Sequence, residues 1–251
     1  MKKLDINKYT IKDKRIDKNL KIAFLSDLHN TKDSILDIVK SINDEKPDFI
    51  LFGGDMINES LNEIDVFLDL IKKLDKFKLY YVFGNHEEVF NDEHFEEYMS
   101  IIKKTKVITL YNESVNITKN IKMTGFVSDI CKYKKFKHGL VDKDYIVSKV
   151  GKLDRNKFNI LVAHNPLEFD SYVQYKADLV LSGHVHGGIV IIPKLGGLLS
   201  PTFTFFPKYY DGMYEKENTK MIVSRGLGHS ERIKLRINNN YELIYINLMK
   251  E

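Results

Sequence analysis

Asp27 and His29, in the string SDLH (26–29), are of the types that ligate a metal ion or move a proton. Four strings of similar character follow: GGDMIN (53–58), GNHE (84–87), AHNP (163–166) and GHVHGG (183–188). Together the five strings hold five of the eight histidines. Imidazole, carboxylate and amide oxygen in combination suit manganese, iron or zinc, not a soft-metal thiolate site. A calcium site would carry more carboxylates and few histidines. The Asp and His residues are too many for one tetrahedral zinc, so two divalent metal ions are the simpler expectation. Asp55, whose short carboxylate follows two glycines, is the candidate bridge between them. Asp27 and His29, like His184 and His186, are spaced i, i+2, and in extended backbone such residues point to one side. Two divalent ions less two aspartates leave a surplus of about two positive charges, which draws a phosphoryl group. Such a pair would also acidify a water between them.

The elements that must position these residues can be read from hydrophobic spacing. Strands are expected at 21–26, 49–52 and 79–83. Helices follow each: one through Ile35, Ile38, Val39 and Ile42, one through Leu61 to Leu74 with a Ser60/Glu63 capping box, and one through Phe95, Met99 and Ile102. This βαβαβα rhythm predicts a largely parallel sheet with covered faces. After residue 105 the pattern changes to short strands near 115–126, 159–163, 179–182, 189–192, 213–223 and 233–248, with Asn238, Asn239 and Asn240 as the turn of a closing hairpin. Pro166–Tyr175 is the expected late helix. Each of the five strings lies just beyond a predicted strand, where α/β folds build their sites. With no repeat, linker or low-complexity stretch, residues 1–251 are expected to form one domain.

Composition removes several alternatives. A 43 % hydrophobic and 29 % charged chain has the make-up of a globular fold and argues against disorder. The net charge of +4 is too small for a protein that coats nucleic acid. It fits an anionic substrate or simply a lysine-rich surface. The single cysteine, Cys131, excludes an internal disulfide and a cysteine zinc site. No apolar run reaches 18 residues and Met1–Lys21 does not resemble a signal peptide. The expectation is a soluble cytoplasmic chain.

The five strings, in this order, resemble the calcineurin-like metallophosphoesterase superfamily, whose pattern is D-x-H, G-D-x-x-(N/D), G-N-H-(D/E), a lone His after a strand, and G-H-x-H. Further stretches (IDKNLKIAFLSDLH, GGLLSPTFTFFPKYYDGMY, SRGLGHS and RINN) resemble its bacterial branch of membrane-associated phosphoesterases and UDP-2,3-diacylglucosamine hydrolases. The resemblance implies an α/β fold, a four-layer αββα sandwich with two central mixed β-sheets. It also implies that Asp27, His29, Asp55 and His186 hold one metal and that Asp55, Asn85, His164 and His184 hold the other. His86 would stand beside them, stabilising the transition state or protonating the leaving oxygen. Manganese is the expected metal, with iron or zinc as alternatives. The implied reaction is hydrolysis of a phosphate mono- or diester or a pyrophosphate by a metal-bridging hydroxide. Two departures stand out: no N-terminal anchor of the kind common in relatives is expected from these residues, and Ile189–Ile192 replaces a stretch that often carries Gln and a basic residue. The rivals are a catalytically silent scaffold that binds a protein partner, which lost ligands would signal, and a nuclease of the same superfamily. A phosphorylated small molecule or lipid-linked substrate is expected, and no nucleic acid.

Other residues divide between function and packing. Asn58 and Glu87 either orient a ligand or finish a turn. Arg225, in SRGLGHS with His229, is a candidate substrate contact, against local salt bridging. His94 reads as a solvated helix residue, and His138 with the basic run Lys132–Lys137 as a solvated loop. The run 195–207, with Phe205 and Phe206, is core by default. Its sharper reading is an apolar lip for acyl chains, bringing weak peripheral contact with the inner membrane face.

Overall fold

The computed structural model describes residues 3–58, 61, 64–90, 92–129, 141–229 and 235–251. One six-stranded sheet contains β1 (Leu4–Asp13), β2 (Leu20–Leu25), β3 (Phe49–Phe52), β4 (Lys78–Tyr81), β5 (Ile108–Thr109) and β14 (Tyr241–Lys250). Its order is β1-β14-β2-β3-β4-β5, parallel except where β14 meets β2. The second, also six-stranded, contains β6 (Ser114–Asn116), β7 (Ile121–Phe126), β8 (Phe158–Ala163), β9 (Leu179–Ser182), β12 (Gly212–Lys216) and β13 (Thr219–Val223). Its order is β12-β13-β9-β8-β7-β6. A two-stranded ribbon of β10 (Ile191–Ile192) and β11 (Gly196–Gly197) stands apart.

Side-chain alternation shows why these strands make layers. In β8, Phe158, Ile160 and Val162 join the large core between the sheets, while Leu161 and Ala163 face a second core. In β13 the pattern recurs, with Ile222 facing in and Met221 and Val223 out. Period-2 burial of both faces requires cover on both faces. Helices α5 (Lys143–Val150) and α6 (Phe169–Tyr175) cover the second sheet through Ile146, Phe169 and Tyr172. Helices α1 (Ile35–Glu45), α2 (Asp65–Lys73) and α4 (Asp92–Lys103) pack on the first. The architecture is the αββα sandwich.

Four features differ from the sequence reading. Strand β1 is an edge strand whose alternating burial lets one face stay polar, which hid it among charged residues. The three asparagines do not close a hairpin: β14 lies between β1 and β2, and the hairpin is β12–β13 instead. Helix α5, short and weakly amphipathic, gave no clear period. The late helix is split, a 3-10 turn over Pro166–Glu168 leading into α6. The Ser60/Glu63 capping box, Cys131, His138 and Lys132–Lys137 lie outside the described residues. Among the described residues no helix is long and apolar enough to cross a membrane.

Candidate metal centre

The five strings meet at the ends of β2, β3, β4, β8 and β9. The route differs from the extended-backbone one that the i, i+2 spacing suggested. Asp27, His29, Asp55, His184 and His186 all have positive φ, between 46° and 70°. A left-handed conformation costs a non-glycine residue roughly 1–2 kcal/mol. Five such residues in three neighbouring loops mark a place where geometry is held against local preference. The loops also need glycine for closeness. A Cβ on Gly84 would lie 2.2 Å from Asp55 Oδ1, and one on Gly183 would lie 2.2 Å from Asp27 Oδ2.

Two groups of metal-ligating side chains result. Asp27, His29 and His186 offer ligand atoms within 4.8 Å of one another, and so do Asp55, His164 and His184. Asp55 Oδ2 lies 3.0 Å from His164 Nε2 in its own group and 3.8 Å from His29 Nε2 in the other. One carboxylate therefore reaches both. A third grouping, His29, Asp55 and His86, places His86 against the same carboxylate, its Nε2 3.9 Å from Asp55 Oδ2. The His86 backbone N–H donates to Asp55 Oδ1 (2.9 Å), and the His184 N–H to Asp27 Oδ1 (2.9 Å).

The ring orientations follow from partners that can only accept. His29 Nδ1 donates to Asn58 Oδ1 (3.1 Å) and His164 Nδ1 to the Gly53 carbonyl (2.8 Å). Each ring thus turns its Nε2 into the centre. Burial, reinforced by the nearby His86, lowers His29 to about 3, and burial lowers His186 well below its usual value, so both are neutral and available to a cation. Burial would lower His164 as well, but Asp55 and Asp27 outweigh it and hold that ring at about 10. This is a negative field that draws cations, protons included.

The donor set fits divalent metal. Asp27 and Asp55 are 0 % and 2 % exposed, and among the described residues their ion-pair partners are histidines alone. Asp27 Oδ2 and Asn85 Oδ1 are buried with no hydrogen bond, and His164 Nε2 meets the Asp55 carboxylate. Buried carboxylates without lysine or arginine partners and an orphaned amide oxygen are costly unless a cation compensates them.

Glu87 sits behind this centre, fully buried, and accepts from the backbone N–H of Gly84 (2.7 Å), Asp55 (3.0 Å) and Met56 (2.8 Å). It ties the loop of Asp55 to that of Asn85, beyond the turn-finishing alternative. Asn58 has the orienting place. The Arg225 guanidinium lies among Asp5, Asp211 and Glu242, at 3.0, 3.5 and 3.6 Å, which is the salt-bridging alternative to a substrate contact. His229 packs on Tyr241, whose hydroxyl is 2.7 Å from its Nε2. His94 is exposed on α4. Phe205 and Phe206 are 69 % and 54 % exposed, so the core reading of 195–207 does not hold for this pair. Sequence reasoning missed Arg236 and Asn239 as neighbours of His186; only the string RINN hinted at them.

Comparison with known proteins gives the family and supports the fold. The family model described as calcineurin-like phosphoesterase matches residues 20–188, and the chain belongs to that family. An uncharacterised metallophosphoesterase of Helicobacter pylori J99 is 31 % identical over 242 residues, 94 % of this chain but 61 % of the relative's length. The chain thus spans about three fifths of that protein. The phosphodiesterase YaeI of Escherichia coli K12 is 26 % identical over 243 residues, covering 91 % of this chain and 82 % of its own. Among solved structures, TT1561 of Thermus thermophilus superposes with a TM-score of 0.53 at 10 % identity, covering 84 % of this chain and 91 % of its own, which supports the fold.

Proposed function

We propose that this chain is a one-domain, binuclear metal-dependent phosphoesterase that hydrolyses a phosphate mono- or diester or a pyrophosphate. Asp27, His29, Asp55 and His186 would hold one divalent ion, and Asp55, Asn85, His164 and His184 the other. The observation that carries the reading is the pair of adjacent ligand groups, with Asp55 Oδ2 3.0 Å from His164 in one and 3.8 Å from His29 in the other. Family membership and the similarity to a phosphodiesterase support it. When bound, two such cations supply an activated water and offset the charge that builds on the phosphoryl oxygens. Manganese is the expected pair, with iron or zinc as alternatives.

The chain's own residues do the positioning. Asn58 and the Gly53 carbonyl aim the His29 and His164 rings, and Glu87 aligns the loops of Asp55 and Asn85. His86 is the imidazole that a substrate can reach: its side chain is 15 % exposed, against 1 %, 0 % and 3 % for His29, His164 and His186. It would hydrogen-bond the phosphoryl group or give its proton to the leaving oxygen. The exposed Phe205 and Phe206 favour a substrate that carries acyl chains, met at a membrane surface.

The test is turnover of bis-p-nitrophenyl phosphate and p-nitrophenyl phosphate with Mn²⁺, each with and without EDTA, beside a metal analysis. EDTA-sensitive turnover with two Mn per chain is expected, and the preferred substrate separates diesterase from monoesterase. A chain that binds none of Mn²⁺, Fe²⁺ and Zn²⁺ would end the proposal.

A further inference from the structure

The RINN string (236–239) is not used by the reading above, yet it ends inside the site. Arg236 is 4 % exposed. Its Nε donates to the Gly228 carbonyl (2.9 Å), and Nη2 donates to the carbonyls of Gly228 (2.5 Å) and Arg225 (2.7 Å). Nη1 donates to Asn239 Oδ1 (3.2 Å), and Nη2 also lies 3.1 Å from His186 Nδ1. Asn239 continues the brace, its Nδ2 donating to the carbonyls of His186 (2.7 Å) and Ile189 (3.1 Å).

The loop that Arg236 grips at residues 225 and 228 is the wall behind Asp27. Within it, the Leu227 N–H donates to the carbonyls of Ser26 (3.0 Å) and Asp27 (3.2 Å). A Cβ on Gly226 would come within 2.6 Å of Asp27 Cβ, so wall and ligand are in contact. Arg236, through its bond to Asn239, therefore joins the wall behind Asp27 to the main chain of His186. These two ligands lie far apart in sequence and belong to the same group. A guanidinium suits this task because its rigid fork of five N–H groups can serve several acceptors at once; an ammonium on a flexible stem cannot reproduce that spread.

We infer that Arg236 and Asn239 are positioning residues for one of the two metal sites, the one built from Asp27, His29 and His186. The inference rests on the binuclear reading. The other group, Asp55, His164 and His184, has its own brace in Glu87 and the Gly53 carbonyl, so loss of the RINN brace should act on one site and spare the other.

The experiment is Mn²⁺ binding to the metal-stripped full chain, by calorimetry and by the electron paramagnetic resonance of Mn²⁺. The proteins are native, Arg236→Lys and Asn239→Ala. The native protein should bind two ions and show the exchange-coupled spectrum of a pair. Each variant should keep one ion at native affinity, bind the second about 10–100-fold more weakly, and show the signal of an isolated ion at one equivalent. Far-UV circular dichroism checks the fold, and Asn239→Ala is decisive if Arg236→Lys does not fold. Two ions at native affinity in a folded variant, or equal weakening of both, would overturn the inference. A native protein that binds no ion would instead remove the binuclear reading on which it stands.

Discussion

Glu87→Gln should cost stability and metal affinity together, because this carboxylate spends its oxygens on backbone that carries the ligands. Oε2 accepts from Gly84 and Asp55, and Oε1 from Met56. An amide offers one oxygen and one NH₂. With its oxygen in the Oε2 position it keeps two weakened bonds, and the NH₂ then faces the Met56 N–H. A buried donor left without an acceptor costs about 1–3 kcal/mol. Exchange of charge-assisted for neutral bonds adds about 1 kcal/mol. Opposing this, burial and the Asp55 charge push the Glu87 carboxyl up, so removing its charge returns part of the loss. The net cost is about 1–3 kcal/mol, and at about 2–4 °C per kcal/mol for a chain of this size the melting midpoint in EDTA falls by about 2–12 °C.

The second consequence separates this account from simple loss of packing. If Glu87 aligns Asp55 with Asn85, Mn²⁺ affinity falls about 10–100-fold. The stabilisation given by saturating Mn²⁺ then shrinks by about 1.4–2.8 kcal/mol. Thermal melts by circular dichroism in EDTA and in Mn²⁺, with a calorimetric Mn²⁺ titration, measure both. A midpoint within about 1 °C of native in EDTA, together with superimposable titrations, would refute the reasoning.

Four further outcomes are expected. His86→Ala should keep both metals while kcat drops by about 10²–10⁴-fold; full turnover in a metal-loaded variant would remove its role. Phe205→Ser with Phe206→Ser should weaken sedimentation with anionic liposomes and leave p-nitrophenyl ester turnover intact, and unchanged sedimentation would sink the apolar lip. Burial, aided by the neighbouring Glu87, lifts the Glu88 carboxyl to about 7 although Tyr111 donates to it. A raised carboxyl binds its proton more tightly in the folded state, so stability falls as pH rises from about 4.5 through about 7. Glu88→Gln should therefore melt higher than native at pH 8 and lose that advantage near pH 4, and a difference independent of pH would contradict this. Gly226→Ala puts a methyl against Asp27 at φ +78°, so it should cost about 1–3 kcal/mol and weaken Mn²⁺ binding; a native-like melt would show that the wall can yield.

Much of this centre was legible because its chemistry is concentrated in short strings. Asp27, His29, Asp55, Asn85, His86, His164, His184 and His186 each follow a run of apolar residues that reads as a buried strand, and strand ends in α/β folds gather. The backbone that makes them converge was not legible. Side-chain alternation suggested extended loops, whereas the observed left-handed residues depend on loops packed against one another, as Gly183 is packed on Asp27. The first strand was hidden for a related reason: an edge strand need bury only one face, so Leu4–Asp13 shows a polarity that a central strand could not bear. Arg225 and Arg236 show the limit most clearly. Both are arginines in the connection between β13 and β14, equivalent by type and setting. Only the fold places one among Asp5, Asp211 and Glu242 and the other among carbonyls beside His186. A charge's role is set by which acceptors surround it, and here those acceptors come from segments up to about 220 residues away, as in the Arg225–Asp5 pair. Motif spacing therefore picks out the residues brought together at the centre, while the residues that brace them emerge only from long-range packing.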